Sequence, residues 1–139
     1  MKLALAAAVL LSAAAVYAAE TFTRPSVLVP VLGFTAELRN GIVYTSWHRY
    51  KRDDFKGYRV VKSSAKDDPR YPDDQVAAAI NDIGTIRFED GKLTPGTWRY
   101  RVVLVTVFGD RWMSPVATVV IKPEDIARLP PTADDFETP

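Results

Sequence analysis

A single histidine, His48, and four closely spaced aspartates, Asp67, Asp68, Asp73 and Asp74, are the side chains here best suited to hold a metal or move a proton. Neither set has the company that such chemistry needs. The chain has no cysteine and no second histidine, so zinc at His48 would have to be completed by carboxylates alone, an unusual ligand set. Calcium takes about six to eight hard oxygens, and the spacing of the aspartates matches no known calcium loop. A solvated acidic loop is the better reading. No Gly-x-Ser-x-Gly, phosphate-binding loop or His-Glu-x-x-His motif occurs. The sequence therefore predicts no catalytic residue, no metal and no cofactor.

Two short stretches can recognise rather than react. Arg49-Tyr50-Lys51-Arg52 is followed by Phe55, and Arg111 precedes Trp112. Aromatic rings among basic groups suit sugars, acidic polymers or a protein partner. In the competing reading Phe55 and Trp112 cap the end of a core and the charges stay solvated. A net charge of +1 gives no reason to expect general nucleic-acid binding.

The elements that must position these residues read as short strands. Phe34–Leu38 and Ile42–His48 flank Arg39-Asn40-Gly41, a tight hairpin turn because Asn-Gly accepts positive φ at little cost. Val43, Thr45 and Trp47 share one face of the second strand, and Thr45 there needs an internal hydrogen-bond partner. Gly57–Ser63 is a third strand, and Ser64–Asp74 a long loop. Gln75–Ile80 is open between helix, which its alanines favour, and a short strand, which its length favours. Thr85–Glu89 precedes a Pro95-Gly96 turn into an alternating strand. Trp98, Tyr100, Val102 and Leu104 face one way, and Arg99, Arg101, Val103, Val105 and Val107 the other. The last strand, Trp112–Ile121, is interrupted at Ser114-Pro115. Short strands with turn signals between them and no long helix predict an all-β sandwich.

Trp47, Gly57-Tyr58, Leu93-x-Pro95-Gly96-Thr97 and Ser114-Pro115, in this order over roughly residues 33–121, resemble a fibronectin type III domain. The resemblance implies an immunoglobulin-like sandwich of about seven strands over residues 33–122. It implies a corner tyrosine just after the Pro-Gly, a place that Trp98 or Tyr100 can take. It also implies that Arg49, Tyr50, Lys51, Arg52, Phe55, Arg111 and Trp112 gather at one pole. This fold hosts many unrelated functions.

The outer face of the second sheet is too apolar to stay wet. Val61, Val103, Val105 and Val107 form a candidate assembly face, since a bare patch of this kind invites association. The expected cover is a second copy of the chain, with Ser26–Leu32 adding to its neighbour's sheet edge. Pro30 suits an edge and not a centre. An internal cover by Ser26–Leu32 or by an Ile126–Leu129 helix is the alternative. At the N-terminus, Lys2 and the apolar Leu3–Ala19 run predict a signal peptide over residues 1–18, cleaved after Ala18, or a retained membrane anchor. Residues 19–32 lead in, and residues 123–139 form a short helix, Pro123–Leu129, and a disordered acidic tail. The expected function is that of an exported, non-enzymatic module, periplasmic, cell-surface or extracellular, acting in protein–protein binding or assembly. The alternative is a carbohydrate-binding accessory module that holds polysaccharide for a catalytic partner.

Overall fold

The computed structural model describes residues 25–126 and 131–139. The signal or anchor segment, and Ala127–Leu129 of the expected helix, lie outside the described residues.

Asn40 and Gly41, at φ of 49° and 76°, close the hairpin between β2 (Thr35–Arg39) and β3 (Ile42–Ser46). β6 (Arg87–Asp90) pairs with the other edge of β3 and completes a three-stranded sheet. The second sheet centres on β4 (Phe55–Ser63) and β7 (Gly96–Thr106), which run antiparallel along most of their lengths. β5 (Gln75–Ile80) pairs with β4, so Ala77–Ala79 are strand: cross-strand pairing on a sheet edge overrides the weak helical preference of alanine. The last strand is two pieces on the same side of β7, β8 (Arg111–Met113) and β9 (Ala117–Ile121). Between Met113 and Ala117 the chain takes four steps against three on β7, from Val103 to Tyr100. Ser114 carries the bulge: its N–H donates to Val102 O at 2.9 Å, and its Oγ accepts from Val102 N–H at 3.0 Å.

The two sheets enclose Val43, Trp47, Tyr58, Val60, Tyr100, Val102, Leu104, Val119 and Ile121. Trp47 is 2% exposed and meets the Tyr58 ring edge-on at 5.3 Å. Thr45 satisfies its hydroxyl by donating to Phe88 O at 2.8 Å. At the corner after Pro95 the two aromatics divide the work. Trp98 Nε1 donates to Thr94 O at 2.9 Å, tying the corner down. Tyr100 instead donates its O–H to Asp90 at 2.7 Å, and the same carboxylate oxygen receives Lys62 Nζ at 2.6 Å. Alternation along β4 turns Lys62 inward with Tyr58 and Val60, and its side chain is only 4% exposed.

Within the chain, the outer face of the second sheet is covered by a segment the sequence did not point to. Val61, Val103, Val105 and Met113 form a second buried cluster, with Tyr71 packed against it. The cover is the chain's own 64–74 loop, which folds back over the sheet. Arg101 draws it down: buried among these residues, it donates to Asp68, to Pro69 O at 3.2 Å and to Ser114 O at 3.0 Å. Pro69 is fully buried. Three members of the proposed assembly face are thus already buried within one chain, and Val107, 59% exposed, stands outside the cluster. The lead-in pairs within its own chain. β1 (Val27–Leu28) lies parallel to β8 of its own chain, Val29 N–H donates to Met113 O at 2.6 Å, and a 3-10 turn at Pro30–Leu32 sends Leu32 into the main core. After β9 the chain makes a 3-10 turn, Pro123–Asp125, in place of the start of a helix. Ile126 there is extended and packs against the main core. A further 3-10 turn, Ala133–Asp135, sits in the fully exposed tail.

Candidate functional site

Beyond β3 the chain turns across one pole of the sandwich, and the turn is fixed from below. Tyr58, rigid in the core, donates its O–H to Ile83 O at 3.0 Å and accepts from Tyr50 N–H at 2.9 Å. Tyr50 in turn donates to Asp54 at 2.6 Å. Burial, then the hydrogen bond to Asp54, pushes the Tyr50 phenol above its ordinary range; burial does the same for Tyr58. Both stay protonated donors at neutral pH.

His48 has a structural job. Its N–H donates to Leu32 O at 2.8 Å and its Nδ1 lies 3.1 Å from Val31 O. The ring lies against Gly33, which is left-handed at φ 61°; a Cβ there would come within 2.4 Å of the ring. Only glycine combines that φ with that close approach. The histidine so clamps the lead-in segment against the pole.

Between clamp and loop lies a cavity of about 420 Å³. Leu32 and Leu104, both buried, form its base with Val29 and Trp112, and Arg49, Lys51 and Arg52 stand exposed around it. Hydrogen bonds from Thr85 and the Gly84 N–H, with Arg49 adding to them, hold the Asp82 carboxyl below its usual range, while Arg99 and Arg101 are paired with Asp67 and Asp68. The pole therefore presents an apolar hollow with Arg49, Lys51 and Arg52 exposed around it.

Of the residues singled out in sequence, Arg49, Tyr50, Lys51, Arg52 and Trp112 line this one cavity. Phe55 does not: its ring packs on Tyr58 at 4.8 Å, as a cap on the core. Arg111 points to the other side of the sheet, donating to Tyr71 O at 3.1 Å with its guanidinium 5.4 Å from the Tyr71 ring centre. Val29, Val31, Leu32, His48 and Leu104 complete the lining. The apolar run ending at Gly33 was the signal for three of them.

Asp67 pairs with Arg99, and Asp68 and Asp74 are tied into the cover loop. Partial burial pushes the Asp68 carboxyl up, but hydrogen bonds from Arg70 and Arg101 outweigh it and hold the group below the usual carboxylate range. Asp74 is held low chiefly by the Arg70 N–H, donated at 2.8 Å, with Lys66 beside it at 3.2 Å. Among the described residues no three His, Cys, Asp or Glu side chains converge on a common metal position. No described helix is long and apolar enough to cross a membrane.

No protein-family model matches the chain, and no curated protein does. Solved structures do. The sixth fibronectin type III domain of human fibronectin type III domain containing protein 3 superposes with a TM-score of 0.51 at 15% identity, over 82% of this chain and 98% of that one. The FN1-FN3 domains of chicken CNTN1 give 0.53 at 14% identity, over 69% of this chain and 32% of theirs. Pectate lyase PelI from Erwinia chrysanthemi, in complex with tetragalacturonic acid, gives 0.51 at 17% identity, over 61% of this chain. The chain spans 27% of the length of that lyase. At such identities the likeness is one of fold. The fold is a fibronectin type III-like β-sandwich.

Proposed function

We propose that this chain is an exported, non-enzymatic binding module that captures an acidic protein segment at the His48–Arg52 pole. The observation that carries the reading is the apolar cavity with Arg49, Lys51 and Arg52 exposed around it. Its volume is that of an ordinary ligand site. A base of Leu32, Leu104 and Trp112 rewards an apolar side chain and offers few groups to a sugar's hydroxyls. Around it, Arg49, Lys51 and Arg52 favour flanking carboxylates and hasten their arrival. Export rests on the Leu3–Ala19 run, and N-terminal sequencing of secreted protein tests it by the cut after Ala18.

Nonapeptides carrying one Phe or Leu among three acidic residues, arrayed and probed with the labelled chain, test the capture. Binding by a subset, lost in Arg49→Glu/Arg52→Glu, is the expected result. An array with no binder sinks the reading. A second reading is the carbohydrate-binding accessory module, favoured by the fold likeness to a lyase solved with tetragalacturonic acid and by Tyr50 and Trp112 in the cavity. Titration with tetragalacturonic acid separates the two: saturable binding, lost in Tyr50→Ala/Trp112→Ala, by a chain that binds none of the arrayed peptides supports the carbohydrate role.

A further inference from the structure

We infer that the capture site is conditional: residues 25–33 form a strap that docks on β8, and the cavity holds its ligand only while the strap is docked. The inference rests on the capture reading and names how that site is regulated. Three separate parts of the chain build the cavity. Leu104 and Trp112 come from paired strands of the second sheet. His48 to Arg52 come from the turn beyond β3, and Val29, Val31 and Leu32 from the strap. Without the strap the hollow loses one wall and, with Leu32 and Val29, half of its apolar base. An open shelf on Leu104 and Trp112 is all that remains.

The strap is lightly held. β1 is two residues long and forms an edge of its sheet, so it pairs on one side only. Val27, Leu28 and Val31 are 44%, 53% and 77% exposed. Beyond the β1–β8 ladder, two backbone bonds pin the strap: Val29 N–H to Met113 O at 2.6 Å, and His48 N–H to Leu32 O at 2.8 Å. The His48 ring over Gly33 completes the hold. A segment with few buried apolar contacts opens locally at far less cost than global unfolding. The sandwich can survive that opening, because Leu32 alone among the buried residues of the main core comes from the strap. Ligand and strap are then reciprocal, each stabilising the other by the same factor. The strap is also where the residues before Pro25 join the sandwich. A pull on them opposes docking and releases the ligand.

The probe is 8-anilinonaphthalene-1-sulfonate, an apolar ring system with one anion, and amide exchange followed by NMR is the second readout. In wild type the Val29 and His48 amides should exchange at least about tenfold faster than those of the β4–β7 ladder. Saturating dye should slow these two and leave the ladder unchanged. Arg49→Glu/Arg52→Glu should weaken dye binding, which assigns the dye to this hollow. Gly33→Ala lies outside the cavity lining. It should hasten exchange of both amides and weaken the dye about fivefold or more, in proportion to the docked fraction lost. Leu28 and Met113 face each other across β1 and β8, close enough for a disulfide, and the chain has no cysteine of its own. Adding Leu28→Cys/Met113→Cys to Gly33→Ala should restore dye affinity when oxidised and lose it again when reduced. A cavity merely misshapen by the alanine would not recover.

Dye affinity unchanged in Gly33→Ala despite faster exchange overturns the inference. So does a disulfide that restores nothing, a pair of amides as slow as the ladder, or a dye indifferent to Arg49→Glu/Arg52→Glu. Arrayed peptides that bind wild type and Gly33→Ala alike leave the capture reading standing and remove this one. Dye coupled to the strap, with no peptide bound, removes the capture reading and keeps the coupling. A wild type that binds neither dye nor peptide removes both.

Discussion

Asp90→Ala should destabilise this protein far more than Lys62→Met, although the two residues form one ion pair. In the native structure Lys62 Nζ donates to Asp90 at 2.6 Å and to Lys92 O at 3.2 Å, and it lies 5.0 Å from the Trp98 ring centre. Removing Asp90 leaves a buried ammonium with one carbonyl and an aromatic face. It also strips the Tyr100 O–H and the Lys92 N–H of their acceptor. Breaking a buried pair in this way costs about 3–5 kcal/mol. Removing Lys62 leaves Asp90 with both of those donors, and Met fills much of the space of the lysine stem. That loss should stay within about 1–3 kcal/mol. Lys62→Met/Asp90→Ala, with no buried charge, should recover part of the Asp90→Ala loss. Against a total of about 5–15 kcal/mol, Asp90→Ala lowers the melting temperature by roughly 12–20 °C. Urea unfolding followed by tryptophan fluorescence measures all three at once, provided the denaturant slope is unchanged. Equal losses for the two single variants, or a double variant no better than Asp90→Ala, would refute the reasoning.

Trp47→Ala should cost about 3–5 kcal/mol, read by the same unfolding assay; a loss under about 1 kcal/mol would contradict the central packing of that ring. Gly33→Ala should cost about 1–3 kcal/mol from the left-handed backbone and the collision with His48, and adding His48→Ala should relieve the collision but not the backbone cost, which a double-mutant cycle resolves. Asp68 and Asp74 are held below their ordinary range in the folded chain. Their contribution is therefore complete above the unfolded value of about 3.9 and is lost as pH falls through the lower folded values. Dye binding to the uncovered Val61–Val103–Val105 face should rise in acid before the sandwich unfolds, and Asp68→Asn should expose the 64–74 loop to protease at neutral pH. A loop equally protected in that variant would show that the ion pairs do not hold it.

The strands were legible because their signals are local. Asn40-Gly41 dictates its own turn, and alternation over Val43, Thr45 and Trp47 gives the inner face without reference to the rest of the chain. Even the cavity's loop half was readable as aromatics among cations. What escaped was set by distant partners. Asp68 belongs to a stretch of prolines and aspartates that reads as solvated, and only Arg101, 33 residues on, turns it into a cover. Lys62 falls on the inward register of its strand, yet a lysine there makes sense only once Asp90 faces it. Leu32 and Val29 entered the cavity because β1 found an edge on its own chain. Sequence showed that the segment wanted an edge but not whose.

That edge has a mechanical consequence. β1 and β8 run parallel, with the chain entering through β1 and leaving β8 through β9 toward the opposite pole. Tension on the two ends slides these strands past each other, loading their hydrogen bonds together in shear, where an antiparallel pair would peel open one bond at a time. Behind the short pair stands the His48–Gly33 clamp, so the lead-in slips only when the clamp opens with it. Under pulling, lifetime follows the rate of that opening and not the equilibrium stability. Gly33→Ala, which loosens the clamp, should therefore shorten lifetime under load by more than its effect on melting suggests.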